Sequence, residues 1–207
     1  ENLAASQERL EIAQSAAGVG FWGVDLDTGK TWWSTEAEKL YGLPPNSFAG
    51  TQEAWLACIH PDDAADVEQK VLHHMWSTDA FEIEYRIVRP DGEIRWLTSR
   101  GRVVTHEGKA VRVLGVNFDI TDRKQAEITL QSVMEAANDA IVVTDPMGNI
   151  TYWNRAAQQI LGYSAEDVLG KNLHRLMVPE RHLPAHHAAY PAFQRTGQGA
   201  AVGKTRD

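Results

Sequence analysis

The chain has 207 residues, 43% hydrophobic and 23% charged, which is the composition of an ordinary folded protein. Its net charge of −8 and the absence of a basic cluster exclude a nucleic-acid-binding face, which must neutralise phosphates. It contains no apolar run of about 18 residues, so we expect no direct membrane insertion. The single cysteine, Cys58, cannot form an internal disulfide, and this favours a reducing, cytoplasmic location.

The sequence repeats itself once, with five positions of the first half recurring 120 residues later. Ala17, Asp25, Trp33, Leu40 and Gly42 recur as Ala137, Asp145, Trp153, Ile160 and Gly162. This period is too long for a solenoid, whose units run about 20–50 residues. We therefore predict two copies of one small domain.

Each copy opens with a helical pattern. Apolar residues follow a seven-residue period at Leu3, Leu10, Ala13 and Ala17, and again at Ala126, Leu130, Val133 and Ala137. Such narrow stripes favour packing on a partner helix, which suggests a homodimer formed through the helices. Packing of each helix on its own domain is the alternative, and a pattern of two heptads does not separate them.

The first copy continues with alternating strand and helix signals. It contains two strands around a Gly turn, short helices after them, and three further strands separated by turns. The strands are Phe21–Asp25, Thr31–Ser34, Phe81–Arg89, Ile94–Val104 and Ala110–Phe118, and the helices include Glu36–Tyr41 and Ala64–Trp76. The order β-β-α-α-α-β-β-β predicts the α+β class, with an antiparallel sheet and its helices on one face.

The second copy begins in the same way and stops early. Its predicted elements are strands Ala140–Thr144 and Ile150–Trp153, helices Ala156–Leu161 and Leu183–Arg195, and a strand Ala200–Thr205. Two strands of the first copy have no counterpart, so we interpret this copy as incomplete. The predicted layout is an N-terminal helix 1–17, a first domain 18–122, a helical linker 123–138 and a second domain 139–207.

Several short motifs, in this order and spacing, carry a family resemblance. They are Gly20-Phe21-Trp22, His60-Pro61-Asp62-Asp63, Glu84-Tyr85-Arg86, Arg89-Pro90-Asp91-Gly92, Arg95-Trp96 and Asp119-Ile120-Thr121-Asp122-Arg123, then Ala140–Asp145, Trp153-Asn154, Leu161-Gly162-Tyr163 and Gly170-Lys171. Both copies resemble the PAS fold, the first in the form that ends with a PAC-type hairpin.

The resemblance implies a sensory or interaction module of a bacterial signalling protein rather than a catalyst. An output enzyme such as a histidine kinase or a diguanylate cyclase is expected elsewhere in the same parent chain. The sequence itself contains no phosphate-binding loop or nucleophile elbow. The acidic pair Asp62-Asp63 is interpreted as two carboxylates at a helix start.

The resemblance also assigns signal transmission to the end of the first domain. Asp119-Ile120-Thr121 matches the element that joins the last strand of PAS sheets to the outgoing helix. We expect Thr121 to cap that helix and Asp119 to bond or pair with Arg123, which would set the exit angle. Simple capping is the other interpretation of the same bonds.

The first domain is a candidate flavin site. Asn117 stands where light-sensing flavin PAS domains carry a glutamine that faces the flavin ring, and its amide can hydrogen-bond a flavin edge. Trp22, Trp33, Trp76 and Trp96 offer surfaces for stacking FAD or FMN. A light-driven adduct is excluded because Cys58 stands outside the required motif, so a flavin would report redox state or oxygen. A cofactor-free dimerisation or small-ligand module is the alternative.

The second domain suggests haem instead. His186 and Arg206 fall at the places where haem-binding PAS domains of oxygen sensors carry the iron ligand and the oxygen-stabilising arginine. His182 and His186 also have the i, i+4 spacing of two zinc ligands, but no third ligand is evident. We therefore predict no metal site apart from this haem alternative.

Overall fold

The computed structural model describes the chain apart from residues 1–8, 10, 11, 13, 14, 76–79, 179, 183, 185–187, 189, 193–195 and 197–207. The chain divides into two compact units, Glu1–Ala126 and Glu127–Asp207. Most of the predicted N-terminal helix and the whole of the predicted strand Ala200–Thr205 lie outside the described residues.

The first unit is built on a five-stranded antiparallel sheet. Its strands are β1 (Gly20–Asp25), β2 (Thr31–Trp33), β3 (Phe81–Val88), β4 (Ile94–His106) and β5 (Lys109–Asp119), in the spatial order β2-β1-β5-β4-β3. Between β2 and β3 the chain forms α1 (Thr35–Leu40), α2 (Gln52–Leu56) and α3 (Pro61–Met75). The predicted α+β class and element order are confirmed.

Strand alternation decides which face of this sheet carries the core. On β3, Phe81, Ile83, Tyr85 and Ile87 are buried while the residues between them are not. This period of two is the pattern of a strand with one covered face. Tyr41 of the α1 C-terminus and Val67 of α3 belong to the same cluster, so the helices cover this inner face.

The two units share the turn that joins their first strands. In the first, a carboxylate oxygen of Asp25 accepts hydrogen bonds from the backbone N–H and the hydroxyl of Thr28. In the second, Asp145 accepts from the backbone N–H groups of Met147 and Asn149. The aspartate thus recurs because its side chain closes the turn on itself.

The first helix after each hairpin also begins and ends alike. Ser34 caps α1 and Asn154 caps the corresponding helix, each accepting from a backbone N–H three residues on. The recurring glycines stand just after these helices, where Gly42 and Gly162 have φ of 74° and 78°, a left-handed conformation that other residues adopt at a cost.

The linker helix and the second unit complete the described chain. Helix α4 (Thr121–Ala136) contains the boundary between the units. The second unit contains β6 (Val142–Thr144), β7 (Ile150–Trp153), α5 (Arg155–Leu161), α6 (Ala165–Val168), α7 (Leu173–Met177) and a 3-10 turn, Glu180–His182. Its core consists of Ile150, Trp153, Ala157 and Val168. Helices α6 and α7 were not predicted from the sequence, because they are too short to show a helical period.

Candidate functional site

The first unit encloses a cavity of about 140 Å³ between the inner face of its sheet and its helices. We call it the first-unit cavity. It is lined mainly by apolar and aromatic side chains. The lining residues are Trp22, Val24, Asp25, Leu26, Gly29, Thr31, Trp33, Tyr41, Gln52, Trp55, Val71, Phe81, Ile83, Tyr85, Ser99 and Asn117. Three of the predicted flavin residues, Trp22, Trp33 and Asn117, are among them.

Asn117 is the polar centre of this cavity. It is only 2% exposed and lies between Gly20 of β1 and Ser99 of β4 in the sheet register. Its Nδ2 donates to the Tyr41 hydroxyl at 3.3 Å, and that hydroxyl is 2.7 Å from the hydroxyl of Tyr85. Burial raises the pKa of both tyrosines, so they stay neutral. The Asn117 Oδ1 has no hydrogen-bond partner.

The Trp22 indole lies close to two glycines of the sheet. A Cβ on Gly115 would come within 2.4 Å of Trp22 Cζ2, and a Cβ on Gly101 within 3.1 Å of Trp22 Cη2. The two glycines are therefore needed for the indole to approach the backbone. Trp22 Nε1 is buried and, like Asn117 Oδ1, without a partner. Both residues were singled out in the sequence, but unpaired atoms become visible only once the fold is known.

Trp33 is covered by a loop that no sequence motif marked. Its ring stacks on that of Phe48, with centroids 3.6 Å apart and planes at 4°. The backbone N–H groups of Asn46 and Phe48 donate to the buried carboxylate of Glu38, at 2.7 and 2.9 Å. Glu38 thus fixes the loop that places Phe48 on Trp33, and this ring face is not free for a ligand.

Another predicted flavin residue, Trp96, does not line the cavity. Trp96 is on the outer face of the sheet, because it alternates with the buried Leu97 and pairs with Arg86 of β3. Its ring lies under two cations, with Arg86 Cζ 5.7 Å and Lys124 Nζ 5.2 Å from the ring centre. The expectation that Trp96 faces the cavity is wrong. Trp76 lies outside the described residues.

Trp96 instead anchors the beginning of α4 through its backbone. Its N–H donates to Thr121 Oγ1 at 3.0 Å, and its carbonyl accepts from the N–H of Ile120 at 2.9 Å. Asp119 Oδ1 accepts from the Thr121 N–H at 2.9 Å. The Thr121 hydroxyl therefore fastens the helix to β4, and Asp119 supplies the cap expected of Thr121.

The charges around this junction pair differently from the sequence prediction. Asp119 Oδ2 pairs with Arg95 Nη1 at 3.0 Å rather than with Arg123. Burial opposes ionisation of Asp119, but the bonds from Thr121 and the Arg95 charge outweigh it and lower the pKa of Asp119. Arg123 lies 2.5 Å from Glu84 of β3, because it points across the outer sheet face and not back to its own strand.

Glu84 also binds the next residue of the helix. Its Oε2 lies 2.6 Å from Lys124 Nζ. The hydrogen bond from Lys124, with that from Arg123, lowers the pKa of Glu84 against the opposing effect of burial. We call the set Glu84, Trp96, Asp119, Thr121 and Lys124 the α4 seat.

The acidic pair at the start of α3 binds the neighbouring strand. Asp63 forms two side-chain bonds with Arg86, from Nε at 3.0 Å and from Nη2 at 2.5 Å, and accepts from the Arg86 backbone N–H. Asp62 lies 3.7 Å from the same guanidinium. Both are therefore structural, fastening α3 to β3, in addition to their place at the helix start.

In the second unit, Asn154 is the most heavily bonded side chain of the described part. It is 0% exposed. Its Oδ1 accepts from the backbone N–H groups of Ile141 and Ala157, each at 2.9 Å. Its Nδ2 donates to the carbonyls of Met134 and Asp139, at 2.9 and 3.0 Å. One amide therefore ties the last turn of α4 to the hairpin and to α5.

The neighbouring Glu135 adds to this attachment. Its carboxylate accepts from the Tyr152 hydroxyl at 2.7 Å and from the Arg155 backbone N–H at 3.2 Å. Partial burial, together with the bond to Glu135, raises the pKa of Tyr152 to about 12. In the sequence, Trp153-Asn154 stood out only as part of a family motif, and neither attachment was foreseen.

The predicted haem residues His186 and Arg206 lie outside the described residues. His182 is described, is exposed, and accepts a hydrogen bond from Arg181 at 3.1 Å. Among the residues that the structure describes, no three His, Cys, Asp or Glu side chains are close enough together to hold a metal ion. None of the described helices has the length and apolar character needed to cross a membrane.

Comparisons with known proteins agree with this architecture. A sequence profile described as the PAS fold matches residues 30–117, and a second profile with the same description matches residues 129–200. The chain belongs to the PAS family, as two tandem copies. A solved sensory box histidine kinase/response regulator from Burkholderia thailandensis is 31% identical with a TM-score of 0.51, over 60% of this chain and 94% of that one.

Curated relatives are larger signalling proteins. The probable diguanylate cyclase DgcE of Escherichia coli is 29% identical over 170 residues, which is 79% of this chain and 15% of that protein. Sensor protein FixL of Bradyrhizobium diazoefficiens is 26% identical over 95% of this chain and 40% of its own length. A blue-light-activated histidine kinase of Brucella ovis is 35% identical over 60% of this chain and 24% of its own length. The chain thus spans less than half the length of each.

Proposed function

We propose that this chain is the sensory input region of a larger signal-transduction protein, in which the first-unit cavity binds a small molecule and α4 carries the response. The observation that supports this best is Asn117, a buried amide that lines the cavity and has an unpartnered oxygen. Asn117 lies two residues before Asp119 on β5. A ligand at Asn117 would therefore act about 7 Å, one strand repeat, from the α4 seat.

The α4 seat is well suited to respond to such a ligand. It is held by backbone bonds of Trp96 to Thr121 and Ile120, and both partners directly follow Asp119 in the chain. A ligand that prefers one arrangement of β4 and β5 would shift the population toward it. A displacement of under an ångström is enough to break bonds of 2.9–3.0 Å and to redirect the helix.

A bound flavin fits the cavity less well than a small molecule. Sites for drug-sized ligands have volumes of about 300–1,000 Å³, and the first-unit cavity has about 140 Å³. Of the aromatic residues predicted to stack on the ring, Trp33 is covered by Phe48 and Trp96 faces away. We therefore favour the small-ligand alternative over redox or oxygen sensing through FAD or FMN.

Light sensing through a cysteine adduct has no support in the geometry, although a relative is named as a blue-light-activated kinase. Cys58 is not among the residues that line the cavity, and its thiol donates to the Ala54 carbonyl at 3.3 Å. Burial raises the pKa of Cys58, which disfavours the reactive thiolate.

Haem-based oxygen sensing by the second unit is the other cofactor hypothesis. It rests on the resemblance of His186 and Arg206 to haem PAS residues, and no geometry of the described residues adds to it. Haem binding predicts a sharp Soret band that His186→Ala abolishes. A chain with no such band after expression in the presence of haem precursor would eliminate the hypothesis.

The parent protein is proposed to be a cytoplasmic sensor histidine kinase, with its output enzyme outside this region, because curated relatives include histidine kinases and a diguanylate cyclase. We also propose that a second copy of the chain packs on α4. No described residue of α4 is buried, and Leu130 and Val133 of the predicted stripe are 61% and 63% exposed.

The proposed dimer can be tested with two variants of α4, one inside the apolar stripe and one outside it as a control. Val133→Glu is expected to convert a dimer to a monomer in sedimentation velocity, since it puts a charge in the apolar stripe. Ile128→Glu changes an exposed apolar residue outside the stripe and should leave the dimer intact. A wild-type chain that sediments as a monomer at all concentrations would contradict the proposal.

The sensing proposal is tested first by an absorption spectrum of the purified chain. A small-ligand sensor shows only the aromatic band, whereas a flavin adds bands near about 370 and 450 nm, which belong to the chromophore and are only tuned by the protein. Flavin bands that disappear in Asn117→Leu would overturn the preference for a small ligand and restore the flavin hypothesis.

A further inference from the structure

We infer that the first-unit cavity takes a neutral, ring-sized molecule that offers one hydrogen-bond donor and one acceptor. The inference rests on the proposed function, because it specifies the ligand of the same cavity. It is drawn from three properties of the cavity wall, namely its volume, its two unpaired polar atoms and its near lack of charge.

The volume limits the ligand to one or two fused rings. A cavity of about 150 Å³ lined by Leu, Ile and Phe is known to admit benzene, and the first-unit cavity has about 140 Å³. Its wall carries Trp22, Phe81, Trp55 and Tyr85, which give a flat molecule the apolar and aromatic contacts it prefers.

The unpaired atoms define the polar groups of the ligand. Three buried side-chain atoms of the described residues lack a partner, and two of them, Trp22 Nε1 and Asn117 Oδ1, belong to residues that line the cavity. An indole N–H can only donate, and the amide oxygen can only accept. Because Asn117 Nδ2 is engaged by Tyr41, its oxygen is left to accept a bond from the ligand.

The two atoms belong to separate parts of the wall. The Trp22 indole lies on Gly115, which is two residues from Asn117 on the same face of β5, a distance of about 7 Å along the strand. A ligand with its donor and its acceptor on different edges of a ring would satisfy both, whereas an apolar molecule would leave both buried and unpaired.

The charge of the wall excludes an ionised ligand. Asp25 is the one charged residue of the lining, and its carboxylate is already bonded to Thr28. A buried anion would therefore meet no counter-charge, and a buried cation would meet only this carboxylate, which already accepts two hydrogen bonds at the turn. Either ion would lose its hydration with little compensation. The ligand class is consequently a neutral nitrogen heterocycle or a hydroxylated or amidated aromatic ring.

Three probes of one shape test this class by titration calorimetry on the full chain near neutral pH. Benzimidazole has an N–H donor and a nitrogen acceptor, indole has the donor only, and indene has neither. We expect each hydrogen bond to strengthen binding about tenfold, so that affinity falls from benzimidazole to indole to indene. The wild-type series is decisive even if a variant fails to fold.

Two variants assign the bonds. Asn117→Leu removes the acceptor at similar volume and should abolish the advantage of indole over indene. Trp22→Phe removes the indole donor and should abolish the advantage of benzimidazole over indole. Trp32→Phe, which changes an exposed tryptophan that does not line the cavity, should leave all three affinities unchanged.

The outcomes separate the ligand class from the proposed function. Indene binding as tightly as benzimidazole would overturn the class while leaving the cavity as a ligand site. Failure of all three probes to bind at millimolar concentration would overturn the class alone, because the proposed sensing function does not depend on this ring shape. Graded affinities that Asn117→Leu and Trp22→Phe reduce as described would support both.

Discussion

The two units differ most clearly at one shared position, Ser34 in the first and Asn154 in the second. Ser34 accepts from the N–H of Phe21 in β1 and from the helix N–H of Ala37. Asn154 accepts from the N–H of Ile141, just before β6, and from the helix N–H of Ala157. A hydroxyl offers a single donor, whereas an amide has two. Only Asn154 therefore also binds two carbonyls, including one in the last turn of α4.

The comparison extends to the two ends of α4. Its first turn is fastened to the first unit by ion pairs of Arg123 and Lys124 with Glu84 and by the hydrogen bonds that join Trp96 to Ile120 and Thr121. Its last turn is fastened to the second unit by the neutral, fully buried Asn154 amide and by two hydrogen bonds to the Glu135 carboxylate. The first attachment contains ion pairs and lies next to the cavity, while the second includes a buried amide bond that does not depend on charge. This difference suggests that the first unit is the sensing one.

The largest expected effect is that of Asn154→Ala. It removes the partner of four backbone groups around a fully buried side chain, which should destabilise the second unit by about 3 kcal/mol. This loss of stability is measured by denaturant unfolding, with hydrogen exchange of the Ile141 and Ala157 N–H groups as the probe. Asn154→Ser, which copies the first unit, should recover part of the loss. Equal losses for the two variants would contradict the importance of the Nδ2 bonds.

Ser34→Ala tests the same position in the first unit and should have a smaller effect. Two hydrogen bonds to a half-buried hydroxyl are lost, and the cost of removing such an N-cap is about 1 kcal/mol. The measurement is the free energy of unfolding of the first unit. A loss as large as that of Asn154→Ala would show that the two caps are equivalent and would remove the contrast between the units.

Glu84→Gln tests the charged attachment of α4. It replaces ion pairs with Lys124 and Arg123 that are partly exposed, so we expect a loss of about 1 kcal/mol or less. Hydrogen exchange of the Lys124 N–H should quicken by about fivefold, in line with that energy. Glu82→Gln is the control, because Glu82 lies on the same strand but pairs with Arg100. Faster exchange in both variants would refute a specific role of Glu84.

Acid is expected to have the smallest effect, a loss of hydrogen-exchange protection at the start of α4 only. The folded pKa values of Glu84 and Asp119 lie below their ordinary 4.5 and 3.8. Their stabilisation is therefore complete above those values and lost as pH falls through the lower, folded pKa values. Protection of the Lys124 N–H should decline below about pH 4, where these groups gain protons, while that of Ala157 N–H persists. A parallel decline at both amides would contradict the contrast.

The sequence was sufficient for the fold and for part of the site. Alternation predicted the strands, and Gly42 and Gly162 marked helix ends, because both signals are local. Alternation also indicates the outer face for Trp96, since the apolar Leu97 follows it. The flavin hypothesis predicted the opposite, because it assigned Trp96 to the aromatic wall of the cavity. Local signals were therefore most reliable where no functional hypothesis depended on them.

The missed contacts depend on register and on packing across the fold. Asp119 pairs with Arg95 because β4 and β5 bring them together, whereas the sequence offered only the nearby Arg123. The Glu38 loop that places Phe48 on Trp33 is a contact between distant parts of the chain. The volume of the cavity likewise depends on side-chain packing that no pattern encodes.

The central claim, that a ligand in the first-unit cavity is sensed at the α4 seat, is tested most directly by hydrogen exchange with and without saturating benzimidazole. Such coupling predicts changed protection of the Ile120 and Lys124 N–H groups, which bond to Trp96 and Ile120. It predicts no change at the Ile150 N–H of the second unit, which bonds to Lys171. Bound benzimidazole that leaves Ile120 and Lys124 unchanged would contradict it.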